Sequence, residues 1–473
     1  MSVIELYFSS LKAIKKENEI ELSYLYGQEF DRVRKTINYN TKVKGLLLRV
    51  VYFLYFIMSS IGGANNKKSG DCLFYSGSKN QQDSLATTMD SLASDGVNFT
   101  SIVNKTAVLN RNEDVRFSLS LKLALVSTLI FLTRFLPLYF MMRREGKSIE
   151  IKYIFNVFCY AHVYIPYFFQ FLSNVKGQNN FKMVIMANDH NVDNRSLRLV
   201  AEILNIETLY MQHASVSDLF PPLKFDYALL DGEISKEIYL ECAKKNKTNN
   251  LYKGMILLSG QKKKVIRKTN SKSNTVGLAL NSQDNIENVL SILEKLTFIG
   301  REVEIRVHPS QKDSFLKELL EYIGNKKSIA FHNPLKKSLV DFFSSVNCII
   351  AGNTSIHIEA ALFGLPTIYY SFDDNLERFD YYGYVRNNIS HLLKIHDVNG
   401  SLEDAINFSN GNLRLSSIRR YSATFRTRWE NREGELSSLF IQSRLNEREI
   451  IDYFIDYKED GYGIVVFPGF ADI

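Results

Sequence analysis

A chain of 473 residues is longer than one ordinary domain, and 45% hydrophobic with 23% charged residues is the composition of a folded protein, not of a disordered chain or a polytopic membrane protein. The formal net charge of +7 suits an anionic partner such as a nucleotide, an acidic glycan or a phospholipid surface. No finger, RRM or KH signature is present, which argues against nucleic acid, and the cysteines Cys72, Cys159, Cys242 and Cys348 lack metal or redox spacing and read as reduced core thiols.

In chain order, Met1 is followed by Ser-Val-Ile-Glu-Leu without a basic stretch, an apolar run or a small-residue cleavage site, so a cytoplasmic protein is expected. Two apolar helices come first, over about 42–62 and 118–144. The former carries basic residues in its first half; the latter is interrupted by Arg134 and Pro137 and closed by Arg143 and Arg144. They read as buried helices of a first domain, as a face docking on the inner side of the cytoplasmic membrane, or as an anchor. A clean span is disfavoured by the length of the first and the central charge of the second.

Short apolar runs followed by turns and helical segments then repeat at 72–75, 183–187, 207–211 and 227–230, the grammar of a parallel α/β sheet covered on both faces. A polar, basic stretch at 259–274 reads as a linker. A second α/β series follows, with strands expected at 276–280, 303–307, 328–331, 348–350 and 366–370. The basic stretch 416–441 reads as a helix, and the residues beyond Asp460 as an irregular end.

In open α/β sheets ligands bind beyond the carboxyl ends of the strands, so polar residues there are the candidates. Arg306, His308 and Pro309 end one strand. Gly352, Asn353, Thr354 and Ser355 end another and lead into a helix bearing Glu359, an arrangement suited to holding a phosphate at a helix N-terminus without metal, or to an ordinary N-cap. In the first half, Asp189 and His190, His213 and Ser215, and Asp231 and Glu233 follow three successive strands. A carboxylate or imidazole there could take the proton from an attacking hydroxyl. Asp231 with Gly232 also reads as a plain turn dipeptide. Asp373 and Asp374 read as a solvated pair, no GxGxxG is present, and Gly146-Lys147-Ser148 lacks the strand and first glycine of a P-loop.

His308-Pro309 resembles the HP motif, and Thr354-Ser355 the hydroxyl motif, of bacterial sialyltransferases, polysialyltransferases and Kdo transferases. Arg306-Val-His308-Pro309 is also similar to a motif of CDP-glycerol glycerophosphotransferases. The resemblance covers 276–371 and implies a GT-B α/β fold, with two Rossmann-like domains whose parallel sheets face a central cleft. The first, acceptor-side domain would occupy 1–258, the linker 259–274 and the nucleotide-sugar domain 275–410. Helices in 411–473 would cross back to the first. The implied activity is inverting, metal-independent transfer of a sugar onto a surface-polysaccharide or lipid-linked acceptor, from a donor expected to be a CMP-linked acidic sugar such as a sialic acid, another nonulosonic acid or Kdo. No cofactor beyond that donor is expected.

In these families the histidine and hydroxyls contact the donor phosphate, and the acidic residue matching Glu359 faces the nucleoside. Asp231 matches the general-base motif in part, Leu230 standing at its first acidic position; Asp189, His190 and His213 stay open as the base. A polyol-phosphate transferase, a UDP-sugar transferase or epimerase, and a non-catalytic membrane-docked scaffold are the rival readings.

Overall fold

The computed structural model describes residues 1–16, 46–62, 69–104, 107–144, 151–173, 181–218, 220–245, 254–262, 274–332, 334, 336–375, 378–409, 411–446, 455–459 and 462–466. The chain divides into two units. The first comprises Met1–Asp231, Ser235–Lys262 and Thr427–Ile473; the second comprises Gly232–Ile234 and Lys263–Arg426. Each is built on a mainly parallel sheet, as the sequence predicts.

The first unit opens with helices α1 (Val3–Lys16) and α2 (Leu46–Ser60). Strand β1 (Cys72–Ser76), helix α3 (Lys79–Ser94), and strands β2 (Phe99–Val103) and β3 (Asp114–Arg116) follow. Two long helices, α4 (Leu121–Arg144) and α5 (Ile151–Leu172), precede β4 (Met183–Met186), α6 (Val192–Ile203), β5 (Glu207–Met211), β6 (Tyr227–Leu230), α7 (Glu233–Lys245) and β7 (Met255–Leu258).

The strand order β7-β6-β5-β4-β1-β2-β3 is parallel throughout, so the direction of winding reverses between β1 and β4. Strands β1, β2 and β4 are buried along their whole length, which is why they read as unbroken apolar runs where their residues allow it.

The second unit runs β8 (Thr275–Ala279), α8 (Ile286–Phe298), β9 (Glu302–Arg306), α9 (Asp313–Ile323), β10 (Ile329–His332), α10 (Leu339–Ser345), β11 (Cys348–Ala351), α11 (Ile356–Phe363), β12 (Thr367–Tyr369), β13 (His391–Leu392), α12 (Val398–Ser409) and α13 (Asn412–Tyr421). Its strands are ordered β10-β9-β8-β11-β12-β13 and all are parallel. The winding reverses between β8 and β11. Local chemistry sets the helix starts: Asn285 caps α8 by accepting from the Glu287 amide, and Ser338 with Asp341 forms a capping box on α10.

Residues 427 onward return to the first unit. Helix α14 (Glu433–Leu445) lays Phe440 and Ile441 into the core beside Met89 of α3 and Leu209 and Leu257 of the sheet. Gly434 makes that approach possible, since a Cβ there would lie 2.7 Å from the Thr87 carbonyl carbon. Strands β14 (Ile455–Glu459) and β15 (Tyr462–Val466) form a hairpin, and β15 adds parallel to β7.

Four expectations are corrected. The stretch 416–441 is two helices, because turns at 422–432 with Arg426 and Asn431 at positive φ interrupt the helical path. The residues beyond Asp460 include a strand, which takes up hydrogen bonds that β7 would otherwise leave unmet at the sheet edge. The linker does not begin at 259, because Ser259 and Lys262 are buried in the first unit; residues 263–273 lie outside the described residues. The second unit also extends to Arg426, past the expected end at 410. Residues 42–45 of the first expected apolar helix, and Gly146, Lys147 and Ser148, likewise lie outside the described residues.

Candidate functional site

In the second unit the ends of β9, β8 and β11 are neighbours, and the crevice at the winding reversal lies between β8 and β11. The loop between β8 and α8 joins the two sequence motifs. Asn281 Nδ2 donates to the Asn353 carbonyl at 2.7 Å, and the Asn281 carbonyl accepts from Gln311 Nε2 at 3.0 Å. The His308 loop and the Gly352–Ser355 loop are therefore fastened to one residue between them.

His308 is exposed at the end of this sheet, as is Pro309. Its Nδ1 accepts from the Ser310 backbone N–H at 3.1 Å and faces the Ser310 hydroxyl at 2.7 Å, which leaves the ring proton of the neutral form on Nε2. Partial burial lowers the imidazole pKa, favouring that neutral form. Arg306 is partly buried and donates from Nη1 to the Lys337 carbonyl at 3.1 Å. Desolvation lowers its pKa, opposed by the field of Glu359.

The β11 to α11 turn is held from behind. Neutral His357, its pKa pulled down to about 4 by burial, donates from Nε2 to the Gly352 carbonyl at 3.0 Å and accepts from the Ser390 hydroxyl at 2.9 Å. Gly352 is buried where a Cβ would come within 3.3 Å of the Tyr370 carbonyl oxygen and 3.4 Å of Asp284 Oδ1. Asn353 spends its side chain on bracing, with Nδ2 donating to the Arg378 carbonyl and Oδ1 accepting from the Tyr381 amide at 3.0 Å and the Tyr369 hydroxyl at 3.3 Å. It shapes the turn through its own side chain, a role unlike the ligand contact that the motif suggests.

Thr354 and Ser355 are partly buried. The Ser355 hydroxyl donates to Glu359 Oε1 at 3.0 Å, so its lone pairs, not its proton, are what it turns to other partners. The first turn of α11, Arg306 and the His308 Nε2–H together provide positive potential and hydrogen-bond donors at the carboxyl end of one sheet.

In the first unit, Asp189 and His190 follow β4, beside the winding reversal. Asp189 is buried with both oxygens engaged: Oδ1 meets His190 Nδ1 at 2.8 Å, and Oδ2 accepts from the Tyr239 hydroxyl at 2.7 Å. Tyr239 in turn reaches the Tyr210 hydroxyl at 3.0 Å. Asn188 Oδ1 accepts from the His190 and Asn191 amides, which places Asn188 Nδ2 against His190 Nε2 at 3.3 Å. This network assigns the Nδ1 proton to the side facing Asp189 and leaves Nε2 as an acceptor, 3.3 Å from Asn188 Nδ2. Phe220 packs on the ring at 4.8 Å between centroids.

Asp231, after β6, is buried, and its amide donates to Gln212 Oε1 at 2.9 Å. The buried ammonium of Lys262 is in the field of Asp231 and Glu433 and donates to the Ser259 hydroxyl at 3.2 Å. Burial nevertheless wins over both carboxylates and lowers the lysine pKa. His213 and Ser215 are partly buried in the loop after β5, and Glu233 lies in the first turn of α7, in a segment belonging to the second unit.

Sequence reasoning missed Asn281, Asp284, Gln311, Lys262 and Tyr239. The strand-end rule that picked out His308 points equally to the loop after β8; nothing local marks Tyr239, which comes from a helix. Among the described residues no group of three metal-ligating side chains stands together.

No family model matches the chain, and no curated protein does. Several solved structures align with most of its length. A UDP-GlcNAc 2-epimerase from Methanocaldococcus jannaschii, in complex with UDP-GlcNAc and UDP, is 14% identical at a TM-score of 0.46, with 78% of this chain and 99% of that one covered. The wall teichoic acid polymerase TagF is 9% identical at 0.44, covering 94% and 98%. MurG from Acinetobacter baumannii is 10% identical at 0.41, covering 79% and 99%.

Proposed function

We propose that the chain is an inverting glycosyltransferase that moves a sugar from a nucleotide-activated donor, CMP-linked in our reading, onto a glycan acceptor of surface-polysaccharide synthesis. The observation that supports this reading best is the joining of the His308 and Gly352–Ser355 loops through Asn281 at the winding reversal of the second sheet. A phosphate ester there meets the Nε2–H of a neutral histidine, the Arg306 guanidinium and the N-terminal turn of α11, which supply positive potential without requiring a metal.

The base we assign, His190, belongs to the first unit. With its Nδ1 proton given to Asp189, His190 offers Nε2 to an acceptor hydroxyl. The hydroxyl oxygen attacks the anomeric carbon, its proton passes to Nε2, and the bond to the donor phosphate breaks with its electrons leaving on that phosphate. Asp189 orients the ring and stabilises the imidazolium. We place Asp231 second as a base, because its carboxylate already acts on the buried Lys262 and its backbone amide is tied to Gln212.

Thermal-shift titration with CMP, CDP, UMP, UDP and GDP tests the donor assignment. Cytidine nucleotides are expected to stabilise the parent protein, and His308→Ala to remove most of the effect. Stabilisation by UDP alone overturns the donor base, and no response to any nucleotide favours a non-catalytic scaffold. With a cytidine donor in hand, deposition of phosphate in the product would identify a polyol-phosphate transferase instead.

A further inference from the structure

The three helices α1, α2 and α4 turn apolar side chains to solvent. On α4 the exposed residues Leu121, Leu125, Leu129, Leu132, Leu136 and Phe140 recur every three or four positions, one continuous helix face, while Leu123, Val126, Ile130 and Phe131 are buried. On α2, Leu48, Val51, Tyr52, Tyr55 and Met58 form a second such stripe opposite buried Phe53 and Ile57. Tyr55 and Met58 remain 67% and 71% exposed. On α1, Ile4 and Phe8 form a third, with exposed Met1 just before the helix.

The stripes belong to neighbouring helices. The Tyr7 hydroxyl donates to Thr133 Oγ1 at 3.0 Å, joining α1 to α4, and the rings of Phe53 and Phe131 lie 4.5 Å apart, joining α2 to α4. An apolar surface of this extent on a folded unit marks an interaction site.

Charge selects the occupant. Neither α2 nor α4 contains an acidic residue, and Lys122 at the start of α4 is partly exposed. On α1 the face of Ile4 and Phe8 continues, at helical spacing, into exposed Lys12 and Lys15, with Glu5 its one acid. A second protein surface would meet an apolar stripe with scattered charge of both signs; here basic groups accompany aliphatic and aromatic ones, the composition of an in-plane helix on an anionic bilayer. Among the described residues no helix is long and apolar enough to cross a membrane.

We propose that α1, α2 and α4 form a docking face for an anionic lipid bilayer, with their outward leucines and aromatics entering the acyl boundary and Lys12 and Lys15 meeting the headgroups. None of the side chains of this face is among those assigned to the donor or to the base, so its test is independent of theirs.

Sedimentation of the full chain with vesicles of phosphatidylcholine, alone or mixed equally with phosphatidylglycerol, tests it. Binding is expected to the mixed vesicles and to weaken with added salt. Leu125→Glu with Leu132→Glu should lower partitioning at least about tenfold, and Lys12→Gln or Lys15→Gln about fivefold each. Both sets should leave the melting temperature and the nucleotide-induced thermal shift unchanged. Equal binding to both vesicle types, or to neither, overturns the proposal. A lower melting temperature in the glutamate variant would mean that the chain itself covers the face, and concentration-dependent self-association abolished by that variant would mean that a second copy does; either result overturns it as well.

Discussion

Asp284 should make the second unit less stable as pH rises, and Asp284→Asn should remove that loss. Its carboxylate accepts from the Asn281 amide through Oδ2 at 2.7 Å, while Oδ1 lies beside Gly352. Burial pushes the carboxyl from its ordinary 3.8 up to about 7; the Asn281 amide and Arg378 pull it down, and Asp373 adds to the rise. A raised acid pKa means that the folded form holds the proton more tightly than the unfolded chain. The stability contributed is therefore full below about pH 4 and is lost as pH climbs through about 7.

The gap between 3.8 and about 7 corresponds to about 4 kcal/mol, and the residual water contact of Asp284 reduces this to ~2 kcal/mol. Asparagine keeps an oxygen for the Asn281 amide but cannot ionise. In a unit of this size, ~2 kcal/mol raises the melting temperature by about 4–8 °C. Calorimetric melts of parent and variant across about pH 4 to 8 should diverge by that amount at the alkaline end and coincide at the acid end. A variant no more stable than the parent at pH ~8, or one whose gain is larger at pH ~4, would refute the reasoning.

Two further changes probe packing. Gly434→Ala gives α14 a better helix former by about 1 kcal/mol in isolation, yet brings a Cβ to 2.7 Å from the Thr87 carbonyl carbon. The close approach should win, for a net loss of about 1–3 kcal/mol in urea unfolding; stabilisation would show that the two helices can separate cheaply. Arg414 is 2% exposed and donates to the Leu365 carbonyl at 2.6 Å and the Ile389 carbonyl at 3.0 Å, with burial lowering its pKa to about 10. Arg414→Met should strip the Leu365 carbonyl of its donor, while the Ile389 carbonyl keeps the Thr367 hydroxyl at 3.0 Å, and cost about 1–3 kcal/mol, measured as a lower urea midpoint with unchanged slope. No change in midpoint would show that water replaces the guanidinium.

Both sheets were legible because most of their strands are apolar throughout, as central parallel strands must be. Strand β2 was not, since Phe-Thr-Ser-Ile-Val puts two hydroxyl residues into full burial and breaks the apolar run; β3 and β13 are too short to show a pattern, and β7 was not read although Met-Ile-Leu-Leu is apolar. The strand-end rule located His308, Ser355 and His190, but not which groups fasten them. Asn281 acts through its backbone carbonyl and its side-chain amide at once, and Tyr239 reaches Asp189 across 50 positions of sequence. The outward stripe of α4 was hidden for another reason. In a helix apolar on nearly every side, periodicity cannot tell the face packed on its neighbours from the one left outside, and only the neighbours decide.

Because α14 and β15 complete the first unit, that unit is discontinuous along the chain. During synthesis the N-terminal sheet emerges with the surface of α3 and the outer edge of β7 still bare, and both wait until the entire second unit has been translated. The later unit has its own complete sheet and can fold first. A ribosome-bound intermediate would then carry a finished C-terminal lobe and an unfinished N-terminal one, the reverse of the usual vectorial order, and the open groove along α3 would be the natural target for a holding chaperone.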